Sequence, residues 1–188
     1  MWRRPLHCGV TMFESLQHST LVAIGVRWLC RRCSVVLYEF ATAADENPDV
    51  IGWAAAAGSV LIECKLSRSD FLGDARKPVR KNPASGMGQR RYYLSPPDVI
   101  QVKDLPPKWG LLWAVKGEVV IKREARGCPD RNLLAEVGFL SSMLRRAQIR
   151  IGSRPLSEWL RGENRFEAKR GISPNRYQVT RESSRTLK

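Results

Sequence analysis

Pro48-Asp49-Val50-Ile51-Gly52-Trp53 and Ser59-Val60-Leu61-Ile62-Glu63-Cys64-Lys65-Leu66, separated by a turn of small residues from Ala54 to Gly58, decide the reading of this chain. Both stretches are short, rich in β-branched and apolar residues, and bounded by Pro, Gly or Ala, which predicts two consecutive strands. Side chains alternate along a strand, so Glu63 and Lys65 project from one face while Ile62 and Cys64 take the other. If Asp49 opens the neighbouring strand, its carboxylate can meet that of Glu63. The spacing is Pro-Asp, thirteen residues, then Glu-x-Lys.

Upstream, Ser34 to Phe40 is β-branched and aromatic and predicts a first strand, so the three strands form a meander. Before it, Met12 to Arg32 carries Leu21, Ile24 and Trp28 at helical spacing, with Thr11 and Glu14 in a capping-box pattern at its start. Downstream, Ser67 to Lys81 predicts a helix capped by Ser67 and Asp70, packed on the sheet through Phe71 and Leu72 and ended near Pro78. Asn82 to Gly88 is a loop. Arg91 to Leu94 and Leu111 to Val115 predict further strands, and Glu118 to Lys122 pairs with the latter across Lys116-Gly117. Asn132 to Ile149 predicts a second long helix, with Leu133, Leu134, Val137, Leu140 and Leu144 on its apolar face. The expected architecture is one α/β domain over 1–150, a mixed central sheet flanked by helices. Residues 151–188 hold nine Lys or Arg against four Asp or Glu with few large apolar residues, and are expected to form a largely flexible basic tail.

The 188 residues carry 32 Lys and Arg against 18 Asp and Glu, a net charge of +14. A field of that sign concentrates polyanions, so nucleic acid is the expected partner; a basic surface kept for solubility, or one that meets anionic lipid, is the plainer alternative. The apolar stretch Leu21 to Leu29 is short and broken by Arg27, so no membrane span is expected, and no secretory signal pattern is visible. The cytoplasm is therefore the expected compartment. Five cysteines, Cys8, Cys30, Cys33, Cys64 and Cys128, show no framework spacing, which suits reducing surroundings.

Two carboxylates brought together repel unless a cation lies between them, and hard oxygen ligands suit Mg²⁺ or Mn²⁺. A lysine beside that ion favours hydroxide over water and offsets the negative charge that builds on a phosphoryl group under attack. The bare pattern is loose: Pro129-Asp130 with Glu167-Ala168-Lys169 satisfies a permissive version of it. Glu167 lies in a polar stretch with no strand to hold it, whereas Asp49, Glu63 and Lys65 lie on two consecutive predicted strands.

From about Met12 to Val120 the chain resembles the PD-(D/E)XK nuclease superfamily. The run Glu63-Cys64-Lys65-Leu66-Ser67-Arg68-Ser69-Asp70-Phe71, with Asp74 and Lys77 beyond it, is similar to a bacterial and phage branch associated with DNA repair or left uncharacterised. The resemblance implies a restriction-endonuclease-like core: a helix, a three-stranded meander, a crossover helix and a further strand. It implies metal ligation by Asp49 and Glu63, an electrostatic role for Lys65, and a further carboxylate from Glu39 or Glu14. Glu39 is preferred, because capping already accounts for Glu14. Arg68 would face the phosphate or brace the metal carboxylates, and Arg76, Lys77, Arg80, Lys81, Arg90 and Arg91 would follow the nucleic-acid backbone. Gln89, in the loop after the predicted helix, leaves the polar role that many members give that helix unassigned. The implied activity is Mg²⁺- or Mn²⁺-dependent hydrolysis of nucleic acid, DNA by family analogy, in repair, recombination or phage DNA processing.

Plainer readings stand beside these. Glu63 and Lys65 could be an exposed cross-strand ion pair, and Ser67 and Asp70 could act in helix capping alone. Cys30 and Cys33 could be half of a zinc site, although no second ligand pair accompanies them. His7 and His18 read as surface residues, and Trp109 and Trp113 as core residues before base-stacking ones. A catalytically inactive DNA-binding or scaffolding protein, or a phosphodiesterase acting on small nucleotides, are the rival functions. A homo-oligomer, or a protein partner for the basic tail, fits the same composition.

Overall fold

The computed structural model describes residues 17–42, 46–54 and 58–150. The chain divides into two compact units, Met1–Gly138 and Phe139–Lys188; residues 139–150 are the described part of the second. The expected basic tail, Thr11, Glu14 and His7 lie outside the described residues.

Helix α1 (His18–Cys30) buries Leu21, Val22, Ile24, Gly25, Trp28 and Leu29. These recur at three- and four-residue intervals, so one stripe of the helix meets the sheet. Gln17 occupies the N-cap position without a side-chain hydrogen bond. Strands β1 (Val35–Tyr38), β2 (Val50–Ala54) and β3 (Gly58–Cys64) form the expected antiparallel meander, with Tyr38 opposite Val50 and Val50 opposite Ile62. The chain then crosses through α2 (Arg68–Asp74) and α3 (Pro78–Lys81) to β4 (Arg90–Ser95), which runs parallel to β3. Strand β5 (Gly110–Val115) is parallel to β4, and β6 (Glu118–Arg123) returns antiparallel. The six strands lie side by side in sequence order, a mixed sheet flanked by helices.

Alternation along the strands divides the sheet into two unlike faces. Val50, Val60, Ile62, Cys64, Tyr92, Leu94, Leu112 and Ala114 form one apolar cluster with α1, and Trp28 meets Tyr92 edge to face at 5.6 Å. The intervening residues, Leu61, Glu63, Tyr93 and Leu111, are buried on the other face. There Tyr93 contacts Phe71 edge to face at 4.9 Å and stacks on Trp109 at 4.3 Å. Central strands β3 and β4 are thus covered on both sides, which explains their nearly unbroken apolar runs. The β5–β6 turn takes the left-handed backbone of a two-residue hairpin, with φ of 50° at Lys116 and 80° at Gly117.

Three expectations are corrected. The helix expected from Ser67 to Lys81 is two: α2 stops at Asp74, and Pro78 begins α3 rather than ending anything. Proline lacks the N–H that the first helical position does not use, so it starts a helix there without cost. Leu72 is 48% exposed; the inward face of α2 is Phe71 with Asp74, three residues apart as helical geometry requires.

The third concerns α4 (Leu133–Arg150): of its expected apolar face, Leu133, Leu134, Val137 and Leu144 are exposed. Its start is fixed by polar bonds instead. Asn132 caps it through Ala135 N at 2.9 Å. Glu136, 1% exposed, accepts from Ser59 Oγ at 2.8 Å, Gly88 N at 2.8 Å, Trp53 Nε1 at 3.2 Å and Arg131 Nε at 2.9 Å. Four converging donors demand an acceptor that no leucine supplies, so they set the helix rotation. Gly88 is needed there, since its φ is +86° and a Cβ would lie 2.6 Å from that of Leu61. No helix among the described residues is long and apolar enough to cross a membrane.

Glu136→Ala leaves these donors and the Arg131 charge without their acceptor, and is expected to lower stability by about 3–5 kcal/mol. Urea unfolding followed by tryptophan fluorescence measures this; a loss under 1 kcal/mol would show that the carboxylate is dispensable.

Candidate active site

Asp49 directly precedes β2, whose first residue, Val50, pairs with Ile62 of β3. The Asp49 charge lies close enough to Glu63 to act on that carboxyl. Asp49 Oδ2 accepts the Cys64 N–H at 2.7 Å, which ties the start of β2 to the end of β3. Asp49 O also accepts the Glu39 N–H at 3.1 Å. Glu39, just past β1, holds φ at 53°, a left-handed conformation that few non-glycine residues adopt.

His18 joins this corner from the first turn of α1. Its Nε2 lies 3.6 Å from Asp49 Oδ1 and its Nδ1 3.9 Å from Glu39 Oε1. His18 stays at the surface as expected, its side chain 43% exposed, but stands between two candidate ligands. Its position three residues before Leu21 on a helix is the signal that could have found it.

Glu63 and Lys65 are 2% and 5% exposed, so the exposed ion-pair reading is overturned. Lys65 Nζ lies 3.2 Å from Glu63 Oε2 and 3.3 Å from Asp74 Oδ1. Arg80 reaches both carboxylates, with Nη2 3.0 Å from Glu63 Oε1 and Nε 2.7 Å from Asp74 Oδ2. It also pairs with Glu46, whose other oxygen accepts the Met87 N–H at 2.5 Å. Tyr93 donates to Asp74 Oδ2 at 2.8 Å, and Lys77 lies 2.7 Å from Asp74 Oδ1. Glu46, Asn47, Glu63, Lys77, Val79 and Arg80 line a pocket of about 160 Å³ beside the cluster.

Burial pushes the Glu63 carboxyl up to about 7 against the pull of Arg80 and Lys65, with Asp49 and Asp74 adding to the rise. For Lys65, burial is outweighed by Glu63, Asp74 and Asp49, so its pKa is raised and the ammonium is retained. Asp74 is buried too, yet the hydrogen bonds from Arg80 and Lys77 and the charge of Lys65 hold its carboxyl well below the usual range. Burial, with the charge of Asp74, raises the Tyr93 phenol and keeps it a donor.

Several expected roles move. Arg80, expected along a nucleic-acid backbone, is 3% exposed and engaged by three carboxylates. Arg91, expected beside it, is buried and donates to the carbonyls of Pro83, Gly86, Met87 and Gly88, which have no strand partner. Arg68 pairs with Asp104 and braces neither phosphate nor metal carboxylate. Ser67 accepts the Asp70 N–H at 3.2 Å, so these two act in capping. Gln89 donates its N–H to Ser59 Oγ at 2.9 Å. Arg76, Lys77, Lys81 and Arg90 are exposed, as a backbone-following role requires. Trp109 is buried against Tyr93 and Trp113 donates to Ile100 O at 3.2 Å, so both serve packing. Asp130 of the competing pattern is exposed, and Glu167 and Lys169 lie outside the described residues.

Glu46 and Asp74 were missed as site residues. Asp74 was legible as the helical neighbour of Phe71; Glu46, in a segment read as a turn, carries no sequence signal. Among the described residues no group of three or more His, Cys, Asp or Glu is placed to share an ion. Mg²⁺, however, is commonly held by one or two carboxylates with waters and substrate oxygens completing its shell. Glu63 Oε1 is buried and makes no hydrogen bond, but Arg80 Nη2 stands 3.0 Å from it. Asp49 and Glu63 are the residues that would hold such an ion, with His18 and Glu39 at the Asp49 side and Arg80 drawn off Glu63.

No protein-family model matches the chain, and no curated protein does. A solved structure of a protein of unknown function from Silicibacter pomeroyi is similar, at 26% identity over 72% of this chain and 92% of that one, with a TM-score of 0.54.

Because the folded Glu63 carboxyl rises from 4.5 to about 7, the folded state binds the more protons between those values, and stability falls as pH rises through that window. Asp74 has the opposite sign, but its contribution is lost only in more acidic solution. In EDTA, wild-type stability is expected to decline from pH 5.5 to 7, and Glu63→Gln to flatten the decline. Equal slopes in urea titrations of the two proteins would refute the assignment.

Proposed function

We propose that the chain is a metal-dependent nuclease of the PD-(D/E)XK superfamily, with a restriction-endonuclease-like core, that hydrolyses phosphodiester bonds of DNA. The observation that carries this reading is Lys65, held as a buried ammonium 3.2 Å from Glu63, with Asp49 at the start of the neighbouring strand and tied to the Cys64 N–H. The order α1, antiparallel meander, crossover helices and parallel β4 supports it, since this is the order the superfamily core requires.

In this reading Asp49 and Glu63, with Glu39 or His18 beside Asp49, hold Mg²⁺ or Mn²⁺. The bound ion would act as a Lewis acid on the scissile phosphate and lower the pKa of its water. Asp49 is kept in orientation by the Cys64 N–H. Lys65 supplies a fixed positive charge where negative charge builds during attack on phosphorus, and its buried setting makes that charge count for more than it would in water. Exposed Arg76, Lys77, Lys81 and Arg90 and the net charge of +14 would hold the polyanion. Repair, recombination or phage DNA processing in the cytoplasm is the setting this activity suits. A second reading, a DNA-binding or scaffolding protein without turnover, draws on the neutralisation of Glu63 by Lys65 and Arg80.

Purified protein is expected to cut single-stranded, duplex or branched DNA in Mg²⁺ or Mn²⁺ and not in EDTA. Asp49→Ala and Lys65→Ala, verified as folded by cooperative unfolding, should each lower the rate by about 10²- to 10³-fold. Binding without cutting by all three proteins would favour the scaffolding reading. DNA affinity should fall steeply between 50 and 200 mM salt, by roughly tenfold for each one or two phosphates contacted; a flat salt response would instead favour a small-nucleotide phosphodiesterase.

A further inference from the structure

We infer that Asp74 is a positioning residue for Lys65, an inference that rests on the nuclease reading above. The carboxylate's two oxygens are loaded differently. Oδ2 is fixed by Tyr93 OH at 2.8 Å, from the sheet, and by Arg80 Nε at 2.7 Å, from α3. Oδ1 faces two ammonium groups, Lys65 at 3.3 Å and Lys77 at 2.7 Å, and takes a longer bond from Arg80 Nη2 at 3.4 Å. Asp74 is 2% exposed, so little water competes for either oxygen.

A lysine side chain carries about 2 kcal/mol of rotamer entropy and an ammonium without directional preference. One acceptor leaves its position along an arc; two acceptors on different elements fix it. Glu63, on the lysine's own strand, is one, and Asp74 on the crossover helix is the other. Glu63 is also drawn toward Arg80, so without Asp74 the ammonium would have a single acceptor that a second cation shares. The Arg80 and Tyr93 bonds link α2, α3 and β4. The contact from Oδ1 to Lys65 is additional to that scaffold and acts where the chemistry is proposed.

The test compares wild type, Asp74→Asn, which keeps shape and loses charge, and Tyr93→Phe, which keeps the charge and removes one of the two donors to Oδ2. Two readouts are taken: steady-state cleavage of duplex DNA, and acylation of Lys65 by acetic anhydride, mapped by peptide mass spectrometry with exposed Lys103 as internal reference. For Asp74→Asn the expectation is a kcat lower by about 10- to 100-fold, with KM and the Mg²⁺ half-saturation within about threefold. Lys65 acylation relative to Lys103 should rise several-fold. Tyr93→Phe should move both readouts the same way by a smaller factor, and carries the test if Asp74→Asn does not fold.

Unchanged Lys65 acylation in the folded variants overturns the inference, as does a rise in acylation with kcat unaltered in an active enzyme. A uniform fall in kcat, affinity and melting temperature without selective Lys65 exposure identifies a structural role and overturns it equally. Wild type that cuts no DNA fails the nuclease reading, while the acylation comparison still decides whether Asp74 holds Lys65.

Discussion

On one face of the sheet, Glu46, Glu63 and Asp74 are buried together with Lys65 and Arg80. Taking each ion out of water costs several kcal/mol, and mutual attraction offsets this only where geometry is good and the remaining valences are filled. The cluster meets those terms by recruiting the whole neighbourhood: Tyr93 from β4, the Met87 N–H from the preceding loop, and Lys77 at the rim. The break between α2 and α3 follows from this, because Asp74 ends the first helix and Arg80 lies in the second, and each must point at the same centre. Apolar residues of similar volume commonly give equal or greater stability in such places. The charges are therefore better explained by the strand end they surround than by cohesion.

The two faces of the sheet divide the labour. Against α1, aliphatic and aromatic side chains interlock, and burial of apolar area is the stabilising term. Against α2 and α3, Phe71, Tyr93 and Trp109 make an aromatic layer that ends in the ion cluster. Glu63 and Lys65 belong to the second face by strand alternation, and Ile62 and Cys64 to the first. One strand thus anchors the core with half of its residues and presents the candidate site with the other half. Asp49 lies where this strand's neighbour begins, tied by the Cys64 N–H and approached by His18 from α1, so small motions of the first helix would be felt at the site.

The meander, the β5–β6 hairpin and α1 from His18 onward were legible before the structure, because each rests on a local period or a turn requirement. The stripe Leu133, Leu134, Val137 and Leu144 misled for the same reason: periodicity reports that a helix has an apolar face, not that anything covers it. Arg80 and Arg91 misled differently. Both belong to runs of basic residues that read as solvated, and what buries them is a set of carboxylates and loop carbonyls brought in from elsewhere in the chain.

Local spacing by itself determined the strands, the shared face of Glu63 and Lys65, and the capping of α2 by Ser67, since backbone geometry ties neighbours at i+2, i+3 and i+4 together whatever surrounds them. Only the tertiary structure decided which charges are paired. Glu46 and Arg80, Asp74 and Lys65, His18 and Asp49, and Glu136 with its donors Trp53, Ser59 and Gly88 are joined across 9 to 83 positions of sequence. Coulombic and hydrogen-bond partners are chosen by distance in space and by exclusion of water, and neither quantity is written in the order of residues.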